Sequence, residues 1–203
     1  MKKKYKFPNW RREWQWFVRQ GGKMNTAVMR ENLLDIKKVF DKYDITFVLI
    51  GGGLLGAIRQ RKFIPYDYDL DLACFCRTDK NDHWKMRWVK NELENLGFFV
   101  VDNSRCRCKA DFFIRNKERI DIFWFEKIDD EWIYNNEYRY PAIFFDNLDE
   151  IYFLGTKFKV PHNPKRFLKY TYGENWKIPD PNAHILNLNP KEIMKRQKKC
   201  KKK

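Results

Sequence analysis

The stretch IPYDYDLDL, residues 64–72, sets Asp67, Asp69 and Asp71 at alternate positions inside an otherwise apolar run. Like charges two residues apart share one face of a regular strand and repel one another. Such a pattern stands only if something positive offsets it. Carboxylate oxygens are hard ligands, and the divalent cations Mg2+ and Mn2+ prefer them. The same alternation turns Leu70, Leu72, Cys74 and Cys76 to the opposite, apolar face. A fourth acid, Asp121, stands alone between Ile120 and Ile122 in RIDIFWF, residues 119–125. An isolated acid among apolar neighbours is costly to bury unless something binds it. Placed beside the first strand, Asp121 completes a carboxylate cluster.

Gly51, Gly52 and Gly53 precede these acids, between the apolar run ITFVLI (45–50) and LLGAIRQRK (54–62), which has the pattern of a short helix. Glycines at such a turn let backbone N–H groups approach a phosphate, and a helix N-terminus favours an anion. The run is not a P-loop, because Lys-Ser/Thr is missing at the required spacing, and it is not the dinucleotide fingerprint. Strand, glycine turn, helix, then a second strand with D-x-D is the layout of the nucleotidyltransferase fold. There the glycines hold the nucleotide's phosphates and the acids hold metals that bridge them. Taken singly, an Asp-x-Asp is often only a solvated strand edge, and Gly-Gly often only a turn. The ordered set is what points to a site.

The surrounding pattern predicts the elements that must carry it. Residues 24–43 place Val28, Leu33, Leu34, Ile36, Val39 and Phe40 at mainly helical spacing, with Asn25 or Thr26 to cap the start. Strands are expected at 45–50, along YDYDLDLACFC, and at 98–102, 111–115 and 119–127, with a helix over 80–96 ending at Gly97. Arg115 to Glu118 forms a short polar hairpin loop. Asn163 followed by Pro164 opens a helix over 163–171. Residues 128–160 are aromatic and of mixed pattern. The expected class is α/β (α+β), a nucleotidyltransferase-like mixed sheet with flanking helices.

The formal net charge of +15 suggests nucleic acid until its distribution is read. Residues 1–24 carry +7 and residues 191–203 another +7, which leaves +1 for the middle. The basic character therefore belongs to the ends. It suits solubility or loose contact with anionic surfaces better than a specific nucleic-acid role. The expected organisation is a basic extension over 1–23, one catalytic domain over 24–190 and a basic tail over 191–203. The odd count of five cysteines does not suggest a secreted disulfide framework. No signal peptide or transmembrane anchor is visible, and the expected location is the cytoplasm.

The segment GGGLLGAIRQRKFIPYDYDLDL, residues 51–72, resembles the signature of the LicD/fukutin family, roughly G-T-L-L-G-A-x-R-x-x-x-(F/I)-I-P-(W/Y)-D-x-D-(I/V)-D. Gly52, Leu54, Leu55, Gly56, Ala57, Arg59, Ile64, Pro65, Tyr66, Asp67, Asp69 and Asp71 all fit it. Gly53 replaces a usual Thr or Ser, Tyr66 a commoner Trp and Gln60 a commoner His, and no carboxylate is lost. DFFIRNKERIDIFWF (111–125) and FKVPHNPKRFLKYTYGENW (158–176) resemble later segments of the family. The resemblance implies transfer of a phosphorylated alcohol, such as phosphocholine or ribitol phosphate, from a CDP-linked donor to a glycan hydroxyl, with release of CMP.

On that reading Asp69 and Asp71 bind the metal, and Asp121 is a third ligand or the general base. Gly52 and Gly53 contact the donor phosphates. Arg59 is either a phosphate partner or a structural salt bridge to Asp67, and Asp67 itself either caps the strand entry or supports the ligands. Tyr172 and Trp176 wall the pocket or pack the core. Two other functions stay open: transfer of NMP to a small molecule, protein or RNA, and non-catalytic binding through the basic ends. The two C-x-C pairs, Cys74/Cys76 and Cys106/Cys108, raise zinc, but four-thiolate sites usually use wider spacing.

Overall fold

The structure is a computed structural model that describes residues 22–75, 81–101, 110–135 and 138–180, with the backbone alone over 81–84. The cysteines at 76, 106, 108 and 200 and the two basic ends lie outside these residues for all but a few positions, so the zinc reading reduces here to Cys74, which is buried in the core.

The first helix, α1 (Thr26–Lys42), buries Met29, Leu33, Ile36, Val39 and Phe40, an i, i+4, i+7 stripe against the sheet. Asn25 caps it, its side chain accepting from the backbone N–H groups of Ala27 and Val28 at 3.2 Å. The chain then runs through β1 (Phe47–Leu49), α2 (Gly51–Gln60), β2 (Leu70–Phe75), α3 (Asn81–Asn95), β3 (Phe99–Val101), β4 (Asp111–Arg115) and β5 (Glu118–Ile128). These strands lie in the order β1-β2-β5-β4-β3. Only the β2–β5 pair is parallel; β1–β2, β5–β4 and β4–β3 are antiparallel. A parallel pair needs a long crossover. Here it is everything from α3 to β4.

The aromatic region that sequence left as mixed resolves into four strands. β6 (Glu131–Tyr134) and β7 (Tyr138–Pro141) extend the sheet from the far end of β5, and β8 (Leu148–Phe153) pairs with β9 (Thr156–Pro161) as a separate ribbon. The ribbon packs on the main sheet through Phe158 against Phe47, ring centroids 6.1 Å apart. Helix α4 (Pro164–Tyr172) starts as expected, Asn163 accepting from the Arg166 N–H at 3.3 Å with Pro164 in the first turn. Its Phe167 fills a nest of Tyr140, Phe144 and Phe145. Among the described residues no helix is long and apolar enough to cross a membrane.

Two expectations change. The glycines do not form a turn ahead of the helix; they are the first turn of α2 itself. The acid-bearing strand is also shorter than its alternation suggested. β2 begins only at Leu70, because Pro65 and Tyr66 form a turn in which the Asp67 N–H donates to the Ile64 carbonyl at 3.2 Å. Asp67 therefore lies in a loop, and the Met24 N–H donates to its carbonyl at 2.8 Å.

The β4–β5 hairpin sets where Asp121 stands. Arg115 pairs with Glu118, so the loop is the two residues Asn116 and Lys117, both left-handed at φ 52° and 70°. Asn tolerates that conformation, but Lys at the second position is strained by about 1–2 kcal/mol. Lys117→Gly is expected to raise the urea midpoint by an amount equivalent to about 0.5–1 kcal/mol after the unfolded-state entropy of glycine is subtracted. An unchanged midpoint would contradict the left-handed assignment.

Candidate active site

Parallel pairing in register puts Asp71 of β2 directly opposite Asp121 of β5. Asp69 stands two residues before Asp71, at the entry to β2. Carboxylate oxygens of Asp69, Asp71 and Asp121 all lie within 4.8 Å of one another. The three acids proposed as ligands are thus brought together, and Asp67 is outside the group. The neighbours on the reverse face, Leu70, Leu72, Ile120 and Ile122, are fully buried, so neither strand can turn its acids inward without exposing them.

The glycines explain themselves against these acids. A Cβ on Gly51 would overlap the Asp71 carboxylate, and one on Gly52 would overlap that of Asp67. Gly51 also has φ +58°, a conformation that side chains resist. Helix α2 therefore begins flush against the acidic loop and strand. Ile50 at its N-cap makes no side-chain capping bond. The positive end of the helix dipole thus faces the acid cluster.

The residue that sequence reasoning missed is Arg119. It is 9% exposed. Its Nε lies 2.7 Å from Asp121 Oδ1, and its Nη2 donates to Asp121 Oδ2 at 2.8 Å and to Asp69 Oδ2 at 2.9 Å. Its guanidinium carbon lies 5.2 Å from the centre of the Phe112 ring. Two residues before Asp121 on a strand means the same face, so the alternation already held this signal. Arg59 does not play that part. Among the described residues it makes no ion pair with Asp67, which removes the structural salt bridge considered from sequence. Its charge acts instead on the Tyr172 hydroxyl, opposing the rise in pKa that burial and then Asp71 impose there. Tyr172 packs, partly buried, against the hydrophobic core of which Trp176 is part.

Crowding and burial raise the carboxyls. Burial, then Asp69, lifts Asp67 to about 7. Burial lifts Asp121 to about 8 against the opposing pull of Arg119. Asp71 is pushed well above the usual carboxylate range, first by burial, then by Asp69, Asp121 and Asp67. The donor set suits a hard divalent cation, since it consists of three converging carboxylates.

A raised folded pKa means the folded state holds protons that the unfolded state has released. Stability from these groups is therefore full below about pH 4 and is lost as pH rises through 7 to 8. In chelator-treated protein the melting temperature should fall by several degrees between pH 5 and pH 8, and Mn2+ should restore most of the loss at the upper end. A metal-independent, flat profile in scanning fluorimetry would contradict this electrostatic account.

The family model described as LicD/FKTN/FKRP, nucleotidyltransferase domain, matches residues 44–163, from just ahead of β1 to the cap of α4. Similar proteins include the ribitol 5-phosphate transferase FKRP of Mus musculus, 26% identical over 168 residues that cover 75% of this chain and 33% of that protein. The ribitol-5-phosphate transferase FKTN of Homo sapiens is 27% identical over 157 residues, 70% of this chain and 32% of its own. The lipopolysaccharide cholinephosphotransferase LicD of Haemophilus influenzae is 30% identical over 73 residues, 36% of this chain and 27% of its own. The chain spans about a third of the length of these curated relatives. Among solved structures, the crystal structure of ANT(2")-Ia in complex with adenylyl-2"-tobramycin superposes with a TM-score of 0.51 at 12% identity, covering 86% of this chain and 98% of that one. Its likeness is one of fold: a nucleotidyltransferase fold. With the glycine helix, the D-x-D strand and the lone strand aspartate inside the matched span, this chain belongs to the LicD/FKTN/FKRP family.

Proposed function

We propose that this chain is the catalytic core of a metal-dependent phosphotransferase. It moves a phospho-alcohol, of the ribitol phosphate or phosphocholine kind, from a CDP-activated donor to a glycan hydroxyl and releases CMP. The observation that carries the reading is the triad of carboxylates within 4.8 Å, set against the N-terminus of a glycine helix. Its family context supplies the cargo, since the named relatives transfer ribitol 5-phosphate or cholinephosphate.

Asp69, Asp71 and Asp121 would hold Mg2+ or Mn2+, which when bound neutralises and orients the donor diphosphate. The N–H groups of Gly52 and Gly53, in the first turn of α2, bind phosphate oxygens with the helix dipole behind them. Arg59 and Tyr172, which are coupled electrostatically to each other and, through Tyr172, to Asp71, confine the cargo side. In the transfer, the acceptor hydroxyl oxygen attacks the phosphorus of the phospho-alcohol. The bond from that phosphorus to the bridging oxygen breaks, and CMP departs with the electron pair. The hydroxyl proton passes to a general base, for which Asp121 is the candidate where it is not a ligand. Asp67 supports the cluster from the loop and keeps α2 close. The catalytic unit corresponds to residues 24–190, and the basic ends at 1–23 and 191–203 meet anionic surfaces.

A mass-spectrometric screen of CDP-choline, CDP-ribitol and CDP-glycerol with Mg2+ or Mn2+ and glycan acceptors tests the reading. One donor should yield CMP together with a phospho-alcohol on the acceptor. Asp71→Asn should lower that turnover at least about a hundredfold. Release of pyrophosphate from nucleoside triphosphates with NMP transfer, and no CMP from any CDP donor, would replace it with the nucleotidyl-transfer alternative.

A further inference from the structure

Arg119 stands where a divalent cation would stand electrostatically. Both oxygens of Asp121 are engaged by its fork, and one nitrogen of that fork also binds Asp69. Nη2 makes two charge-assisted hydrogen bonds at 2.8 and 2.9 Å, and Nε stands 2.7 Å from Asp121 Oδ1 as an ion pair, in a site that is largely screened from solvent. At such distances and reduced dielectric they are far stronger than a surface ion pair. A guanidinium is suited to this because its planar fork spans two oxygens at once and never gives up its proton. Phe112, whose ring lies 5.2 Å from the guanidinium carbon, braces it from the side. The oxygens it occupies belong to two of the three carboxylates that converge. A divalent cation binding those acids wants the same lone pairs and meets a positive charge already among them.

We propose that Arg119 is the resident counter-cation of the acid cluster. It holds Asp69 and Asp121 in place when no divalent cation is bound, and it competes with that cation for them. The inference rests on the metal-dependent reading above and adds a regulatory property to it. Metal affinity is set by an exchange of one cation for another, not by capture into bare acids. Asp71 lies outside the fork, so it is the carboxylate that receives the incoming cation first, and Arg119 then yields its partners. A purely structural arginine would behave in the opposite way. By orienting Asp121 as a ligand it would strengthen metal binding, and its loss would weaken it.

Calorimetric titration of the full chain with Mn2+ at one fixed pH, on wild type, Arg119→Gln, Arg119→Lys and Asp71→Asn, decides between them. Arg119→Gln is expected to bind Mn2+ about tenfold tighter or better, a modest share of the repulsion between charges at this separation. Arg119→Lys keeps the charge but cannot span both carboxylates, and should fall between wild type and Arg119→Gln. In parallel melts, Arg119→Gln should be less stable than wild type without metal and show the larger Mn2+-dependent rise. Unchanged or weaker Mn2+ affinity in Arg119→Gln overturns the proposal while leaving the metal-dependent reading intact. If Arg119→Gln does not fold, Arg119→Lys carries the test: tighter binding than wild type supports competition, and equal or weaker binding overturns it. Absence of Mn2+ binding in wild type itself overturns the metal-dependent reading and the proposal with it, whereas loss in Asp71→Asn alone supports both.

Discussion

The site depends on one ladder. β2 and β5 run parallel with Asp71 opposite Asp121, and this pairing brings the D-x-D segment and the lone aspartate to one place. The register is held from behind by apolar side chains. Leu70 and Leu72 on β2, and Ile120 and Ile122 on β5, are each at most 1% exposed, and a slip by one residue would exchange them for the acids. It is held from the side by the tight β4–β5 hairpin, which leaves β5 no freedom to slide. Helix α1 is tied in as well, since the Asn25 N–H donates to the buried Glu118 at 2.9 Å.

Gathering carboxylates at that ladder is unfavourable on its own terms. Burial and mutual repulsion raise the pKa values of Asp71, Asp121 and Asp67 alike. The fold answers with positive potential from two directions. One is the N-terminus of α2, brought into contact by glycines where any side chain would strike Asp67 or Asp71. The other is Arg119, bonded to Asp121 and Asp69. Three carboxylates still outnumber Arg119, so further positive charge among them is favourable, and a phosphate carried by such a charge is then favourable too. The arrangement therefore connects the stability of the fold to the chemistry it presents. The carboxylates whose repulsion raises these pKa values are those that a divalent cation with a phosphorylated substrate would relieve.

Much of this was legible in the residues. Alternation pointed to Asp69 and Asp71, isolation among apolar neighbours pointed to Asp121, the Asn163-Pro164 start located α4, and the 111–115 strand appears with the bounds its pattern suggested. What escaped did so for physical reasons. Pro65 turns the chain before β2, so Asp67 falls in a loop although its spacing matched a strand. The glycines read as a turn because their helical role depends on how closely α2 approaches the acids, which is a tertiary fact. Residues 128–160 gave no clean period because their aromatics face one another across ribbons and α4 instead of lining one sheet face. Arg119 was visible as the i−2 neighbour of Asp121. Its partners, Asp69 and Asp121, are joined only once β2 and β5 pair.

The central claim is that Asp69, Asp71 and Asp121 form one divalent-cation site at the β2–β5 ladder. Anomalous diffraction from crystals grown with Mn2+ and a CDP-linked donor tests it most directly. The expected result is a manganese peak within bonding distance of all three carboxylates, with the donor diphosphate beside it at the start of α2. A peak held by other residues, or diphosphate bound far from these acids, would contradict it.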